Sequence, residues 1–302
     1  MNSTHHPPRL PAYKADLVLL IISVFWGTTF ILSKILLAEI SLLYYLAVRL
    51  SLAALFLWLF AQRYHKELDS KTLTHGIILG LFLFLSYLFQ MWGIRQTSAS
   101  NAGFITGINV ILVPIFSTLF FKERLSLATF VGVVLATVGL YFLSGGDYQT
   151  LNQGDWLVLV CSVAVAFHVI LTSRFAPQHN IYLLTAIQLT VVAILSSILF
   201  LFSTEPLAAV SGKSVLIIFY LAIFGTVLTF SLQTAMQRFT TATHTALVFT
   251  TEPVFAAFFA FLIAGERLTV YGWFGGFLIL LGMIVAEINW TPLFNKIKRE
   301  KK

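Results

Sequence analysis

Glu252 is a carboxylate in an otherwise uncharged apolar segment, because no other charged residue occurs between Ala246 and Ala264. A carboxylate in such a segment can bind an amino group or carry a proton. Pro253 follows it and removes one backbone hydrogen bond, which gives a helix a bendable point. The alternative interpretation is structural, with the carboxylate hydrogen-bonded to its neighbours and the proline shaping only the packing. The sequence leaves both interpretations open.

Polar side chains four residues apart form a second pattern, on two other apolar segments. Ser86 and Gln90 share one helix face, and Thr229 and Gln233 share another. Hydroxyl and amide groups do not face lipid without hydrogen-bond partners. They therefore line a polar cavity or join neighbouring helices by hydrogen bonds, and the spacing does not separate these alternatives.

Three single residues within apolar segments are further candidates for binding a substrate or a proton. Trp26 is near the middle of its segment, where its ring stacks on a substrate, caps a cation or simply packs. His168 is a candidate proton relay, or a histidine that hydrogen-bonds a neighbour. Arg49 lies deep within its apolar segment, where its charge needs an ionic or hydrogen-bonding partner. We expect Arg49 to form a structural ion pair with a carboxylate, for which Glu252 is a candidate, or to hydrogen-bond helix carbonyls. The alternative is that Arg49 binds an anionic substrate.

The elements that hold these residues are apolar segments of membrane-spanning length. The chain has 302 residues, of which 58% are apolar and 10% charged, with a mean hydropathy of +0.90. This composition excludes a soluble globular protein and indicates a polytopic membrane protein. Its one cysteine, Cys161, rules out an intrachain disulfide. Ten spans are predicted at residues 16–36, 42–62, 76–95, 102–121, 127–144, 155–174, 181–203, 214–236, 244–264 and 270–290.

Lysine and arginine are distributed unevenly between the two sides of these spans. With the N-terminus inside, 14 of the 19 basic residues fall in inner segments and 4 in outer ones, as the positive-inside rule requires. We therefore predict cytoplasmic termini in a plasma membrane, the bacterial inner membrane. The basic cluster at the C-terminus is expected to bind anionic lipid headgroups, and no nucleic-acid partner is expected.

An internal duplication relates the two halves of the sequence. A shift of 143 residues aligns Gln90 with Gln233, Asn109 with Glu252, and the loop KERLS (122–126) with GERLT (265–269). Five spans per half is an odd number, so the second half enters the membrane from the opposite side, an arrangement typical of secondary transporters. The predicted fold is an all-α integral membrane protein with ten transmembrane helices in two inverted five-helix repeats.

The duplication completes the set of candidate site residues. Asn109 joins the set as the repeat partner of Glu252, and Asn101 pairs with His244 near the starts of the fourth and ninth spans. The candidates for a substrate cavity are Trp26, Ser86, Gln90, Asn109, His168, Thr229, Gln233 and Glu252. The candidates for a gate or hinge are Pro114, Pro253, Asn101 and His244.

Small residues at close spacing occur in the fifth and tenth spans, among them Gly132, Gly139 and Gly282. Such residues allow helices to approach closely. They join two copies in a homodimer or lock each repeat internally. Because one chain carries both halves, we expect a monomer.

The segments TTEPVFAAFFAFLIAGERLTVYGWFGGFLILLGM (250–283) and FKERLSLATFVGVVLATVGLYFL (121–143) resemble the signature segments of the drug/metabolite transporter superfamily, in particular its EamA-like family. The resemblance implies repeats at 16–146 and 154–290, with a cytoplasmic tail at 1–15 and a basic cytoplasmic tail at 291–302. It implies a secondary transporter for an amino acid or a related neutral, zwitterionic or aromatic compound, with export expected. Where the family commonly has proline, this chain has Val110, so the first half is expected to kink one turn deeper, at Pro114.

Other classes of function have less support in the sequence. No HExxH, GxSxG or P-loop motif occurs, so we expect no enzyme activity, no metal and no cofactor. A membrane-embedded enzyme, a channel or a scaffold without a transport cycle is the alternative. Arg49 is the one basic residue deep in a span, so a phosphorylated substrate is not expected.

Overall fold

The computed structural model describes residues 12–123, 125–143, 152–204, 210–265 and 269–287, with the side chains of Ala12, Ser100 and Asn101 left out. The predictions for the basic C-terminal tail and for the side chain of Asn101 lie outside these residues. Thirteen α-helices occur in the described part of the chain. They are α1 (Ala12–Glu39), α2 (Leu42–Ala61), α3 (Ser70–Ile94), α4 (Ala99–Gly107), α5 (Asn109–Phe121), α6 (Leu127–Leu143), α7 (Gln153–Phe175), α8 (Ile181–Leu201), α9 (Gly212–Ala222), α10 (Thr229–Met236), α11 (Ala242–Phe249), α12 (Thr251–Ala264) and α13 (Val270–Glu287).

These helices make up ten spans. Helices α4 and α5 form the fourth span, α11 and α12 the ninth, and a π-helical turn at Ile223–Leu228 joins α9 to α10 in the eighth. Among the described residues, eight spans are long and apolar enough to cross a membrane, and α6 and α13 are shorter apolar helices. The structure confirms the predicted all-helical fold, and each predicted span overlaps one of the ten.

Side-chain caps fix where several spans begin. At the start of α3, Asp69 Oδ1 accepts a hydrogen bond from the Thr72 N–H at 2.8 Å. At the start of α7, Asn152 and Asp155 each accept from the backbone N–H of the other, which is a capping box. The first-turn N–H groups of a helix have no partners inside the helix, so these caps place the helix starts at the polar edges of the fold.

Corresponding helices of the two halves pack against each other and run antiparallel. In the pair formed by α6 and α13, Gly132 lies against Gly282, and Gly139 lies against Gly275. A Cβ atom on Gly132 would come within 2.6 Å of the Gly282 carbonyl oxygen, so a side chain does not fit there. The small residues of these spans therefore join the two halves of one chain. This corrects the expectation that they lock each repeat internally.

Further contacts interleave the halves. Helix α3 packs against α7 and α8, α1 packs against α12, and α2 runs along α8. Between α2 and α8, the indole of Trp58 donates a hydrogen bond to Thr190 Oγ1 at 2.8 Å. The buried apolar side chains of both halves form shared clusters, such as that of Leu19, Val113 and Val169. The interior of the protein therefore lies at the boundary between the repeats.

The fourth and ninth spans break at equivalent positions of the two repeats. Helix α4 ends at Gly107 before α5 starts at Asn109, and α11 ends at Phe249 before α12 starts at Thr251. Pro253 accounts for the second break, because a proline ring meets the carbonyl four residues earlier and its nitrogen donates no bond, which disturbs the turn that contains Thr250. Pro114 lies inside α5, six residues after the boundary at Ile108, so the same effect does not reach that boundary. The expected kink at Pro114 itself stays a prediction.

Candidate functional site

A cavity with polar groups in a mainly apolar wall lies between the two halves, with about 60 Å³ of space open to water-sized molecules. Seven of the eight candidate cavity residues line it, and the eighth, Thr229, bonds to one of the seven. The sequence interpretation missed several lining residues. The complete lining is Trp26, Thr29, Arg49, Leu83, Ser86, Tyr87, Gln90, Thr106, Asn109, Val165, His168, Val169, Phe230, Gln233, Phe249 and Glu252.

Most of this lining consists of pairs that the duplication relates. A shift of 143 residues connects Tyr87 to Phe230, Gln90 to Gln233, Thr106 to Phe249 and Asn109 to Glu252. A shift of 139 residues, which relates Asp16 to Asp155 at the starts of the first and sixth spans, connects Trp26 to Val165 and Thr29 to His168. Applied to every candidate, the repeat would have found Val165 from Trp26 and Thr29 from His168. The pairs Tyr87/Phe230 and Thr106/Phe249 contain no sequence candidate, so the repeat alone would not have selected them.

Glu252 lies at the break of the ninth span, as the second residue of α12, and faces the cavity. Among the described residues, no side chain or backbone group hydrogen-bonds or ion-pairs with its carboxylate. The carboxylate is close enough to Tyr87 and Cys161 to interact with them electrostatically. Pro253 beside it is buried against Gly107, where a Cβ atom would lie 3.0 Å from the proline ring. The structural interpretation, which needs neighbours bonded to the carboxylate, has no support in this geometry.

Two amide oxygens on the cavity wall also have no hydrogen-bond partner among the described residues. Asn109 is buried, its Nδ2 donates to the Thr106 carbonyl at 2.8 Å, and its Oδ1 accepts no bond from them. Gln233 is buried, its Nε2 donates to Gln237 Oε1 at 2.9 Å, and its Oε1 likewise accepts none. Buried polar atoms in proteins almost always have a partner, either in the protein or in bound water. Both oxygens are therefore open to a hydrogen bond from another molecule in the cavity.

Arg49 is 1% exposed and bonds to hydroxyl and carbonyl groups. Its guanidinium donates to Tyr45 Oη at 2.7 Å, Thr226 Oγ1 at 3.1 Å, the Gly225 carbonyl at 3.3 Å and Tyr87 Oη at 3.4 Å. Gly225 and Thr226 belong to the π-helical turn, whose wider backbone leaves a carbonyl free to accept. Within the described residues no carboxylate lies within 4 Å, so the expected ion pair with Glu252 is not formed. The expectation of carbonyl partners holds for Gly225.

Trp26 is held in place on the cavity wall by a hydrogen bond and by ring contacts. Its Nε1 donates to Thr229 Oγ1 at 3.1 Å, which explains why Thr229 lies behind the wall. Its ring is 5.4 Å from the ring of Phe230 and 4.9 Å from that of Phe249. Because all three rings are fixed against each other, they offer a rigid aromatic surface to the cavity.

The remaining cavity candidates bond within the protein. The His168 Nε2 atom lies 2.8 Å from Gln188 Oε1, and Ser86 Oγ donates to the Leu83 carbonyl at 2.8 Å. Gln90 Nε2 donates to Thr106 Oγ1 at 3.4 Å. These residues are both cavity wall and interhelical or local bonding partners, so the two alternatives for the polar pattern are not exclusive.

Polar contacts between the halves occur at both predicted ends of the spans. At the predicted inner end, His244 Nε2 lies 3.1 Å from Asp16 Oδ1, and Arg174 forms an ion pair with Glu123 at 2.9 Å. At the predicted outer end, Thr97 Oγ1 donates to Asp155 Oδ1 at 2.7 Å. The gate candidate His244 therefore takes part in a contact between the first and ninth spans.

A chain of hydrogen bonds links the first two turns of α3 to the loop before α8. His179 Nε2 lies 2.7 Å from His75 Nδ1, and His179 Nδ1 lies 2.8 Å from Thr72 Oγ1. Partial burial lowers the pKa of His179, and the neighbouring His75 lowers it further. Hydrogen bonds from Thr72 lower the pKa of Asp69, the cap of α3. Among the described residues, no three His, Cys, Asp or Glu side chains are grouped as metal ligands.

Known proteins share both the sequence pattern and the fold. The sequence profile of the EamA-like transporter family matches residues 13–145 and again residues 152–287. An uncharacterized transporter of Archaeoglobus fulgidus is 35% identical over 91% of this chain and 86% of its own length. The uncharacterized transporter YyaM of Bacillus subtilis is 26% identical over 92% of this chain and 95% of its own length.

Two more distant likenesses agree with this assignment. Human solute carrier family 35 member F6 is 26% identical over 31% of this chain and 28% of its own length. A solved crystal structure with 19% identity has the same fold, with a TM-score of 0.74 over 91% of this chain and 96% of the other. The family profile matches both halves, and together the matches cover most of the chain. The chain therefore belongs to the EamA-like transporter family, within the drug/metabolite transporter superfamily.

Proposed function

We propose that this membrane transporter is a secondary transporter that moves a small metabolite by alternating access, in the direction of export. The observation that carries this proposal is the cavity at the boundary of the halves, lined by repeat-related pairs. Two halves that are inverted relative to each other have two packings of similar energy, each open to one side of the membrane. The antiparallel packing of α6 and α13 supports the inverted arrangement. The membrane is the bacterial inner membrane, with both termini in the cytoplasm.

The substrate is an amino acid or a related neutral, zwitterionic or aromatic compound. The rigid rings of Trp26, Phe230 and Phe249 suit an apolar or aromatic body, and the amide groups suit a polar end. The cavity is small in this conformation, so a substrate enters when the halves separate on one side. The helix breaks at Ile108 and Thr250 are the points at which the fourth and ninth spans bend.

Flux into proteoliposomes tests the proposal. A mixed pool of amino acids and related metabolites is offered with and without an imposed pH gradient, to the wild type, Glu252→Gln and Glu67→Gln. Glu67 is exposed and lies outside the cavity, so its variant controls for the loss of a carboxylate. A carrier is expected to show saturable flux and counterflow, whereas a channel shows neither.

The gradient and the variant together assign the role of Glu252. A response to the gradient that is lost in Glu252→Gln but kept in Glu67→Gln identifies Glu252 as a proton carrier. Flux that is unchanged by the pH gradient and by Glu252→Gln identifies a facilitator. An absence of flux for every compound in the pool contradicts the proposal and favours a membrane enzyme or a scaffold.

A further inference from the structure

We propose that the cavity binds a protonated amine, with Glu252, Asn109 and Gln233 as the acceptors of its N–H groups. This inference rests on the proposed function, since it names the substrate class of the same cavity. It follows from the hydrogen bonds of the wall, in which the carboxylate of Glu252 and two amide oxygens accept no bond from any described residue. The recognised end of the substrate is its ammonium group. The cationic side chain of the described lining, Arg49, already donates to protein oxygens.

The orientation of the Asn109 amide follows from its neighbour. The group opposite Nδ2 is the backbone carbonyl of Thr106, which can only accept a hydrogen bond. The NH₂ side of the amide must therefore face Thr106, and the oxygen must face away from it. That oxygen is buried and accepts no bond from any described residue. Asn109 thus offers an acceptor at the position that the duplication pairs with Glu252.

The orientation of Gln233 is fixed by a chain of three groups. Gln237 Nε2 donates to the Val169 carbonyl at 3.0 Å, so the oxygen of Gln237 lies on its other side. That oxygen accepts from Gln233 Nε2, which leaves Gln233 Oε1 on the free side of its own amide. Gln233 is 1% exposed, and no described residue donates to this Oε1. A second amide oxygen in the cavity is therefore open to a donor.

Several donors of the cavity wall already bond to protein oxygens. Each of the three guanidinium nitrogens of Arg49 donates to a protein oxygen. The Trp26 indole donates to Thr229, and the hydroxyl of Thr29 donates to the Trp26 carbonyl at 2.8 Å. A ligand carboxylate would therefore share the Arg49 guanidinium with these protein oxygens. A ligand that brings N–H donors bonds to the free oxygens without breaking any of these bonds.

A protonated amine has the charge and the donors that this wall lacks. An ammonium group carries three N–H donors and no acceptor. Its charge also compensates the Glu252 carboxylate, which is otherwise costly to hold in a membrane interior. The rings of Trp26, Tyr87 and Phe230 add a favourable surface for a cation or for the carbon body attached to it.

The test uses purified full-length protein in detergent and isothermal titration calorimetry at neutral pH. The probes are 2-phenylethylamine, 2-phenylethanol and 3-phenylpropionate, which share the ring and differ in the charge of the other end, with methylamine as a small amine. The amine is expected to bind at least about tenfold more tightly than the alcohol and the carboxylate, as one or two desolvated charge-assisted contacts imply. Glu252→Gln is expected to remove this preference, and Glu67→Gln to keep it.

Binding of 2-phenylethanol reports whether a variant is still folded, because the alcohol does not depend on the carboxylate. Asn109→Leu is a second variant, expected to weaken amine binding severalfold without removing any charge. Equal binding of the three phenyl probes, no binding of either amine, or unchanged amine affinity in Glu252→Gln overturns the inference. If the protein transports compounds of the metabolite pool but does not bind amines, this inference is refuted and the proposed function is retained. If it binds amines but transports no compound, only the proposed transport cycle is refuted.

Discussion

The contact between α6 and α13 gives a sharp prediction, because the same helix carries two glycines in different surroundings. A Cβ atom on Gly282 would lie 2.6 Å from the Gly132 carbonyl oxygen and 3.0 Å from the Ala136 nitrogen. A Cβ atom on Gly276 would come no closer than 3.6 Å to Val254, which is ordinary contact. The substitutions Gly282→Ala and Gly276→Ala therefore add the same methyl group, once against backbone atoms that it overlaps and once in ordinary contact with a side chain.

The magnitude follows from the overlap. Backbone atoms cannot rotate away as a side-chain end can, so Gly282→Ala forces α6 and α13 apart, at a cost of about 1–3 kcal/mol for overpacking. Both variants gain the same intrinsic preference of alanine for a helix, roughly 1 kcal/mol, and this gain cancels in the comparison. At roughly 2 °C per kcal/mol for a chain of this size, Gly282→Ala is expected to unfold about 2–6 °C below Gly276→Ala.

Thermal unfolding in one detergent, followed by the loss of monodisperse protein or of helical circular dichroism, measures this difference. Gly276→Ala is expected to be equal to the wild type or more stable. The reasoning is refuted if Gly282→Ala unfolds at the same temperature as Gly276→Ala or above it. In that case the close approach of the two backbones does not join the halves.

Three further predictions concern polar contacts. Arg49→Lys replaces the planar guanidinium, with its several N–H donors, by one ammonium group, so it is expected to lower the free energy of unfolding by about 2–4 kcal/mol. An unchanged denaturation midpoint contradicts the bonding described for the guanidinium. Thr97→Val leaves a buried oxygen of Asp155 without its donor and is expected to cost about 1–3 kcal/mol, measured in the same assay, where an effect near zero contradicts the contact. The lowered pKa of His179 means that the folded chain binds its proton at lower pH than the unfolded chain does, whose usual value is 6.5. Stability is therefore expected to fall as the pH drops from that value through the lowered pKa, and His179→Asn is expected to flatten this dependence, so a parallel pH profile in the variant contradicts the assignment.

The ten spans and the repeat could be predicted because each depends on a pattern along the chain. A run of apolar residues about as long as the bilayer is thick has few alternatives to a helix. The polar pairs at Ser86 and Gln90, and at Thr229 and Gln233, pointed to the cavity because polar groups in a span turn away from lipid. Six pairs of the wall are related by the duplication, but the repeat adds a residue only where its partner is already a candidate, as for Val165 and Thr29. Tyr87 and Phe230 could not be found in this way, because neither residue type gave a reason to choose it.

The bonding of Arg49 could not be predicted, because it depends on the π-helical turn in another span. One extra residue in a turn leaves no periodic trace in a segment as apolar as IFGTVL. The boundary between α4 and α5 was also not predicted. It lies six residues before Pro114, beyond the turn that a proline disturbs, so the proline does not indicate its position. The free oxygens of Asn109 and Gln233 could not be predicted from the sequence either. Their identification depends on which neighbouring group each amide bonds to in the folded protein.

The π-helical turn has a consequence for the direction in which a carrier works most readily. The corresponding stretch of α3 in the first half is an uninterrupted α-helix, so the two repeats are not mechanical equals. If the halves exchange conformations during a transport cycle, the turn and its arginine are strained differently in the two end states, and those states differ in free energy. The carrier without substrate then populates mostly one of its two states, either inward-open or outward-open. Half-saturation concentrations measured from the two sides of the membrane should differ, even though a carrier without an energy source produces no net movement at equal concentrations.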